Sequence, residues 1–408
     1  MLEKPILSNL SEKTKEKTLI GLVILMYVTM CAEADMYVPA FPEMIKYFGV
    51  GENKIQLILG INFAGLCVAG LFVGPLSDAF GRRIVLLGGL FLFAVSSYGC
   101  VYATSFISMI FWRLLQGVFA SVPMVVGAVM FFDKYSSDKA GQLIGLCNSV
   151  ITASIAFAPI VGAFLAKYIG WRANFVTIFI LAILCLVGAH LFIEETLQKE
   201  KRKDLNLASI LTDYSKLSSS FIFMGYCFIV NFPFNVIIVY ISNLSVIFVN
   251  HMGISLEIYS LYQALTMIIF VISSIYSIKI ITLKGLDYTK NLGLSLSMFG
   301  SILLYFVSAI VPESAVLICL AMAFVAAGGA LMAGTFSMKA LELFPDMKRT
   351  AISMMFAMSL ATSAFIVILS GILFDGTIVP VAEIIFAYAL ISLMIFVVIN
   401  SRALNTKA

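Results

Sequence analysis

Twelve stretches of this chain are apolar, at about 18–40, 55–73, 84–103, 106–131, 140–166, 173–193, 219–247, 255–278, 291–311, 315–337, 351–373 and 379–400. Each is near or above the roughly 20 residues that a helix needs to cross the hydrocarbon of a bilayer. Composition supports the same reading: 61% of the 408 residues are hydrophobic and 12% are charged. A soluble domain has about 45–50% apolar and about 25% charged residues. So little polar surface cannot cover a soluble globule, and the chain is read as an all-α integral membrane protein with twelve transmembrane helices.

An even number of spans puts both termini on one side of the membrane. Of the 26 Lys and Arg residues, 21 fall on that side, and only Lys46, Lys54, Lys167 and Arg172 lie in the opposite loops. Loops rich in Lys and Arg face the cytoplasm, so both termini are expected there. The formal net charge of +4 then reflects topology and gives no sign of nucleic-acid binding. The charged N-terminal stretch lacks a small-residue cleavage site before Glu33 and reads as a cytoplasmic tail, not a signal peptide. The remaining basic residue, Arg113, falls inside a span.

Seven cysteines (31, 67, 100, 147, 185, 227 and 319) lie singly within spans, with no C-x-x-C and no Cys/His metal spacing. They read as small apolar packing residues. His190 and His251 are isolated, so no metal or other cofactor is expected. An enzyme is disfavoured because H-E-x-x-H, G-x-S-x-G and phosphate-binding loops are missing. A filter-like T-V-G-Y-G loop is missing too, which disfavours a channel. A receptor would need an extramembrane domain to carry its signal.

The one long hydrophilic interruption, "EETLQKEKRKDLNLASILTDYSK" at 194–216, divides the spans six and six. The expected organisation is an N-terminal six-helix half (1–193), a cytoplasmic linker (194–218) and a C-terminal half (219–408). In transporters built this way the substrate binds between the halves near the midplane. The loop "GPLSDAFGRR" after span 2 has a weak echo after span 8, "KGLDYTK", in which Gly285 and Asp287 survive.

"GPLSDAFGRR" resembles the loop pattern G-x-L-[A/S]-D-[R/K]-x-G-R-[R/K] of the major facilitator superfamily, through Gly74, Leu76, Ser77, Asp78, Gly81, Arg82 and Arg83. Glycines permit a tight turn between two helices, and Asp with Arg can form a charge network at the cytoplasmic ends. Ala79 stands where the pattern has a basic residue, which leaves Asp133 at the end of span 4 as a partner for Arg82 or Arg83. "RLLQG" at 113–117 resembles the R-x-x-Q-G element of span 4, with Arg113 and Gln116 on one helix face. A guanidinium in the hydrocarbon is expensive, by about 3 kcal/mol on insertion scales, so it must meet a polar cavity or an acid. "APIVGA" at 158–163 is similar to the antiporter signature G-P-x-x-G-G, matched at Pro159 and Gly162.

"DMYVPAFP" at 35–42 resembles the bicyclomycin-resistance branch of drug:proton antiporters, as do "YIS" at 240–242 and "ALELFPDMKRTAISMM" at 340–355. The resemblance implies a proton-coupled exporter of small lipophilic or cationic compounds in a bacterial inner membrane. Its partners would be the substrate, protons and lipid, and superfamily members usually work as monomers. The alternative on the same fold is a proton symporter importing a metabolite or siderophore. Asp35 matches the family run and is the expected proton carrier. Glu33, two residues away and about 200° around a helix, is the accessory acid, and Arg113 is near enough in depth to meet them. A closing low-dielectric cavity favours the neutral form of an acid, whereas a neighbouring Arg favours the charged form. Further cavity candidates are Tyr37, Gln116, Asn231, Phe234, Asn235, Tyr240, Asn243 and Gln263.

Overall fold

The computed structural model describes residues 11–198, 200, 202 and 207–405. The first ten residues and the linker lysines Lys199, Lys201 and Lys203 lie outside the described residues. The described chain contains 12 helices long and apolar enough to cross a membrane. In chain order the α-helices are α1 (Glu12–Asp35), α2 (Phe41–Phe48), α3 (Glu52–Ile55), α4 (Leu57–Phe80), α5 (Arg82–Val101), α6 (Phe106–Lys134), α7 (Ser137–Tyr168) and α8 (Arg172–Phe192). They continue with α9 (Leu207–Ser218), α10 (Phe221–Val230), α11 (Phe232–Ser245), α12 (Leu256–Lys284), α13 (Leu286–Ile310), α14 (Ala315–Glu342), α15 (Lys348–Leu373) and α16 (Val379–Asn405).

Serine starts several of them. Ser105, Ser220, Ser255 and Ser314 each accept a hydrogen bond from the backbone N–H three residues on, satisfying one of the otherwise orphaned first-turn donors. Two differences from the hydropathy pattern have a common cause in proline. The first span does not run evenly to residue 40: α1 ends at Asp35, a short 3-10 turn follows at Val38–Ala40, and Pro42 opens α2. The seventh span is not one helix over 219–247 but two. Proline has no N–H to give the preceding turn, and Pro233 restarts the helix as α11 after Asn231 caps α10.

The chain packs as two compact units, one comprising Met1–Gly49 and Ile61–Asn206, the other Val50–Gly60 and Leu207–Ala408. The core of the first draws Leu19, Val23, Met26 and Tyr27 from α1 against Leu86 and Leu90 of α5, Val122, Val126 and Met130 of α6, and Cys185 and Ala189 of α8. In the second, Leu217, Phe223, Cys227, Ala340 and Ala351 form a buried cluster. The short segment with α3 belongs to the second unit, where Gln56 Nε2 donates to Asn243 Oδ1 at 2.9 Å.

One close approach positions the acids. A Cβ built on Gly162 of α7 would lie 1.6 Å from the carbonyl oxygen of Met36, so α7 reaches the end of α1, beside Asp35, only because residue 162 has no side chain. Pro159 lies in the same helix without ending it. Gly162→Ala is expected to cost about 1–3 kcal/mol, the usual penalty of forced overpacking, seen as a lower unfolding temperature of the purified protein. An unchanged unfolding temperature contradicts the close approach.

Candidate functional site

Within the first unit, Arg113 of α6 is completely buried. Its Nη1 donates to Glu33 Oε1 at 2.6 Å and to Gln116 Oε1 at 2.6 Å. Its Nη2 donates to the Tyr37 hydroxyl at 2.8 Å, and the guanidinium lies 4.3 Å from the centre of the Tyr37 ring. Glu33 Oε1 also accepts from Asn62 Nδ2 at 2.7 Å, and the same amide reaches the Arg113 carbonyl at 3.2 Å. Gln116 Nε2 donates to Ser97 Oγ at 2.9 Å. The desolvation of a guanidinium is offset only by good geometry and further hydrogen bonds, and this cluster supplies both.

The partner of Arg113 is Glu33 rather than Asp35. The helix is continuous through both acids, so they leave it on different sides. Asp35 is 3% exposed, and its Oδ1 is buried with no hydrogen-bond partner, as is Glu33 Oε2. One guanidinium thus sits with two carboxyl groups, of which one is engaged. The structure also adds residues that the sequence motifs do not mark. Asn62 is a lone amide in the apolar run of α4 and was visible as such, whereas Ser97 and Phe175, whose ring lies 5.2 Å from that of Tyr37, carry no local signal.

At the end of the unit predicted to be cytoplasmic, Gly81 joins α4 to α5 with φ +100°, a conformation open to glycine at little steric cost. Gly285 joins α12 to α13 in the same way, at φ +85°. Arg82 pairs with Asp78 at 2.5 Å and with Asp133 at 3.0 Å, and donates to Ser77 Oγ at 2.6 Å. Arg83 donates to the His190 carbonyl at 2.9 Å. Glu195, unmarked by any motif, accepts from the backbone N–H of Arg82 at 2.9 Å and of Arg83 at 3.3 Å. A carboxylate at a helix N-terminus satisfies free donors and complements the dipole. A Cβ at Gly81 would come within 2.5 Å of Glu195 Oε2, so this glycine also makes room for the cap. Gly74 lies in the last turns of α4 and accepts, through its carbonyl, from Ser77 Oγ at 2.8 Å.

The cavity candidates of the second unit divide by what they touch. Asn231 and Phe234 line a pocket of about 320 Å³ with Val230, Ala333, Met355 and Phe356, and Asn231 Nδ2 donates to the Met355 carbonyl at 3.0 Å. The others are buried in hydrogen-bonded packing. Asn235 donates to the Tyr388 hydroxyl at 3.0 Å, Tyr240 meets Cys319 Sγ at 3.3 Å, and Asn243 meets Ser370 at 3.0 Å. Gln263 Oε1 accepts from Tyr259 at 2.6 Å, with its Nε2 buried and unpartnered. Tyr37 and Gln116 belong to the Arg113 cluster. Among the described residues no group of three or more His, Cys, Asp or Glu is arranged to hold a metal ion.

Removing one partner of a buried pair leaves the other charge uncompensated, at about 3–5 kcal/mol. Glu33→Gln and Arg113→Gln are each expected to destabilise by that order, and the double variant by less than their sum. Thermal unfolding of the four proteins in one detergent checks this; additive losses contradict the pairing.

Comparison with known proteins bears on what such a unit does. A model of the Major Facilitator Superfamily matches residues 23–368. The chain is 23% identical over 373 residues to a bicyclomycin resistance protein homolog of Haemophilus influenzae, covering 91% of this chain and 94% of that one. It is 29% identical over 199 residues to multidrug resistance protein D of Escherichia coli, 49% of each chain. Among solved structures, a bacterial homolog of the human lysosomal transporter Spinster, inward-facing and unoccupied, superposes with a TM-score of 0.75 at 14% identity. That match covers 94% of this chain and 96% of the other. The family match spans most of the chain, and twelve apolar helices carry it through the membrane: the protein belongs to the Major Facilitator Superfamily and is a multi-pass membrane transporter.

Proposed function

We propose that the protein is a proton-coupled exporter of small lipophilic or cationic compounds, working as a monomer by alternating access in a bacterial inner membrane with both termini cytoplasmic. The observation that carries this reading is the buried pair of Glu33 and Arg113 beside a second buried acid, Asp35, whose Oδ1 has no partner. In a low-dielectric interior an uncompensated charge is costly. The guanidinium balances one carboxylate and is committed to Glu33. Asp35 then needs either a proton or a cationic or hydrogen-bonding substrate, and loading one expels the other. With protons flowing inward, substrate moves outward.

The names of the relatives support export and suggest the substrate class, since one is a bicyclomycin resistance protein homolog and another a multidrug resistance protein. In the second unit, the pocket at Phe234 and Asn231 offers a mostly apolar wall with one amide and the serines Ser337 and Ser359, which suits a lipophilic compound with a polar group. The network of Asp78, Arg82 and Asp133 would steady one conformational state at the cytoplasmic end, and Pro159 with Gly162 would set the close packing of α7 near Asp35.

The test uses everted membrane vesicles acidified by respiration, with a dye that reports the interior pH. Bicyclomycin, tetraphenylphosphonium and a set of common metabolites are added in turn. The expected outcome is that an antibiotic or lipophilic cation dissipates the gradient with the wild type and not with Asp35→Asn. Dissipation that is the same in both proteins, or none for any compound, contradicts the reading.

A further inference from the structure

The buried pair is covered, toward the end of the unit that holds α2, by a continuous set of contacts that begins at an acid no motif marks. Glu43 of α2 accepts, through Oε2, a hydrogen bond of 2.8 Å from the backbone N–H of Trp171. Trp171 is the cap of α8, so the carboxylate sits at a helix N-terminus, where negative charge is favoured. The two residues are 128 positions apart. The Trp171 ring packs against Tyr47 at 5.3 Å, Phe48 at 5.4 Å and Phe175 at 5.9 Å. Phe175 in turn meets Tyr37, whose hydroxyl accepts from Arg113.

A second arm closes the same region. The Arg172 guanidinium lies 4.2 Å from the Tyr47 ring centre and 4.3 Å from that of Trp171. It donates through Nε to the Val101 carbonyl at 3.1 Å. The residue before Val101 is Cys100, which is fully buried and places its thiol 3.5 Å from Gln116 Oε1, inside the Arg113 cluster. The remaining hold on α2 is apolar, through Phe41, Pro42, Met44 and Ile45.

We propose that Glu43 is a positioning residue for the ion pair: by gripping the Trp171 N–H it keeps α2 folded over Tyr37 and Arg113 and shuts water out of the pair from that end. The chain of action runs from Glu43 through Trp171 and Phe175 to Tyr37. Apolar packing alone fixes no unique register between a short helix and a loop, whereas one charge-assisted hydrogen bond does. What this closure means for transport rests on the reading of Asp35 and Glu33 given above. The closure itself does not.

Cys100 is a natural reporter. In a protein that keeps Cys100 as its single cysteine, purified into nanodiscs, the rate of reaction with a water-soluble maleimide measures how often the cluster opens. Glu43→Ala is expected to raise that rate about ten- to a hundredfold, the effect of losing one hydrogen bond to a charged group. Glu43→Gln, whose neutral amide oxygen accepts the same hydrogen more weakly, falls between the parent and Glu43→Ala. Ser105→Ala, which removes the cap of α6, leaves the rate unchanged. If Glu43→Ala does not accumulate, Glu43→Asp, one methylene too short for the contact, takes its place with the same expectation. Equal rates in parent and variant overturn the proposal. So does a Glu43→Gln protein as fast as Glu43→Ala, or a Ser105→Ala protein that opens as readily. The labelling rate reads the clamp whether or not Asp35 carries protons, so failure here and failure in the vesicle assay are distinct results.

Discussion

A guanidinium sealed inside an apolar helix bundle is the constraint on which the rest of the first unit depends. Arg113 has no exposed surface, and a charge so placed survives only if its donors and its field are both answered. Four side chains from three other helices and the turn after α1 converge on it or its partner: Glu33, Tyr37, Asn62 and, through Gln116, Ser97. Convergence of that kind requires backbones to approach closely. A Cβ on Gly117 would lie 2.1 Å from the Asn62 carbonyl oxygen, and one on Gly65 2.5 Å from that of Leu114. Gly65 and Gly117 leave room for that approach.

The same helix carries the second charged centre. Asp133, the last residue but one of α6, holds Arg82 at the loop between α4 and α5, about 20 residues and so about 30 Å along the helix from Arg113. One packed helix thus carries the counter-charge of Glu33 near one end and the partner of Arg82 at the other. Glu195 adds to the hold on this loop from the chain that follows α8, capping the start of α5 with one carboxylate. Its role resembles that of Glu43 at the opposite end, where a carboxylate also caps a helix start across a long stretch of sequence.

How far the sequence revealed this depends on the range of each signal. Hydropathy marked all twelve membrane helices because burial in lipid is a property of each segment by itself. Pro233 was readable but its effect was hidden, since the apolar run continues unbroken through 219–247 while the helix does not. Glu33, Asp35 and Arg113 stood out as charges where charge is expensive. Which acid meets Arg113 was not legible, because it depends on the rotation of α1 against α6, a matter of packing between residues 80 positions apart. The amides and tyrosines of the second unit were likewise visible as polar residues in apolar helices. Their partners, Cys319 for Tyr240 and Tyr388 for Asn235, are set by helix contacts that no local pattern encodes. Glu43 and Glu195 escaped notice for a simpler reason: a carboxylate in a loop or a short helix is ordinary until the backbone N–H that it caps is known.

The central claim is a division of labour in which Glu33 stays ionised against Arg113 while Asp35 exchanges its proton. Infrared difference spectra of the purified protein, with and without a transported compound, read the protonated carboxyl group directly. The account predicts a carboxylic-acid band that substrate removes and that is missing in Asp35→Asn, where Glu33 is left paired with Arg113. A band that survives in Asp35→Asn and vanishes in Glu33→Gln would assign the proton to the acid beside the guanidinium and contradict the account.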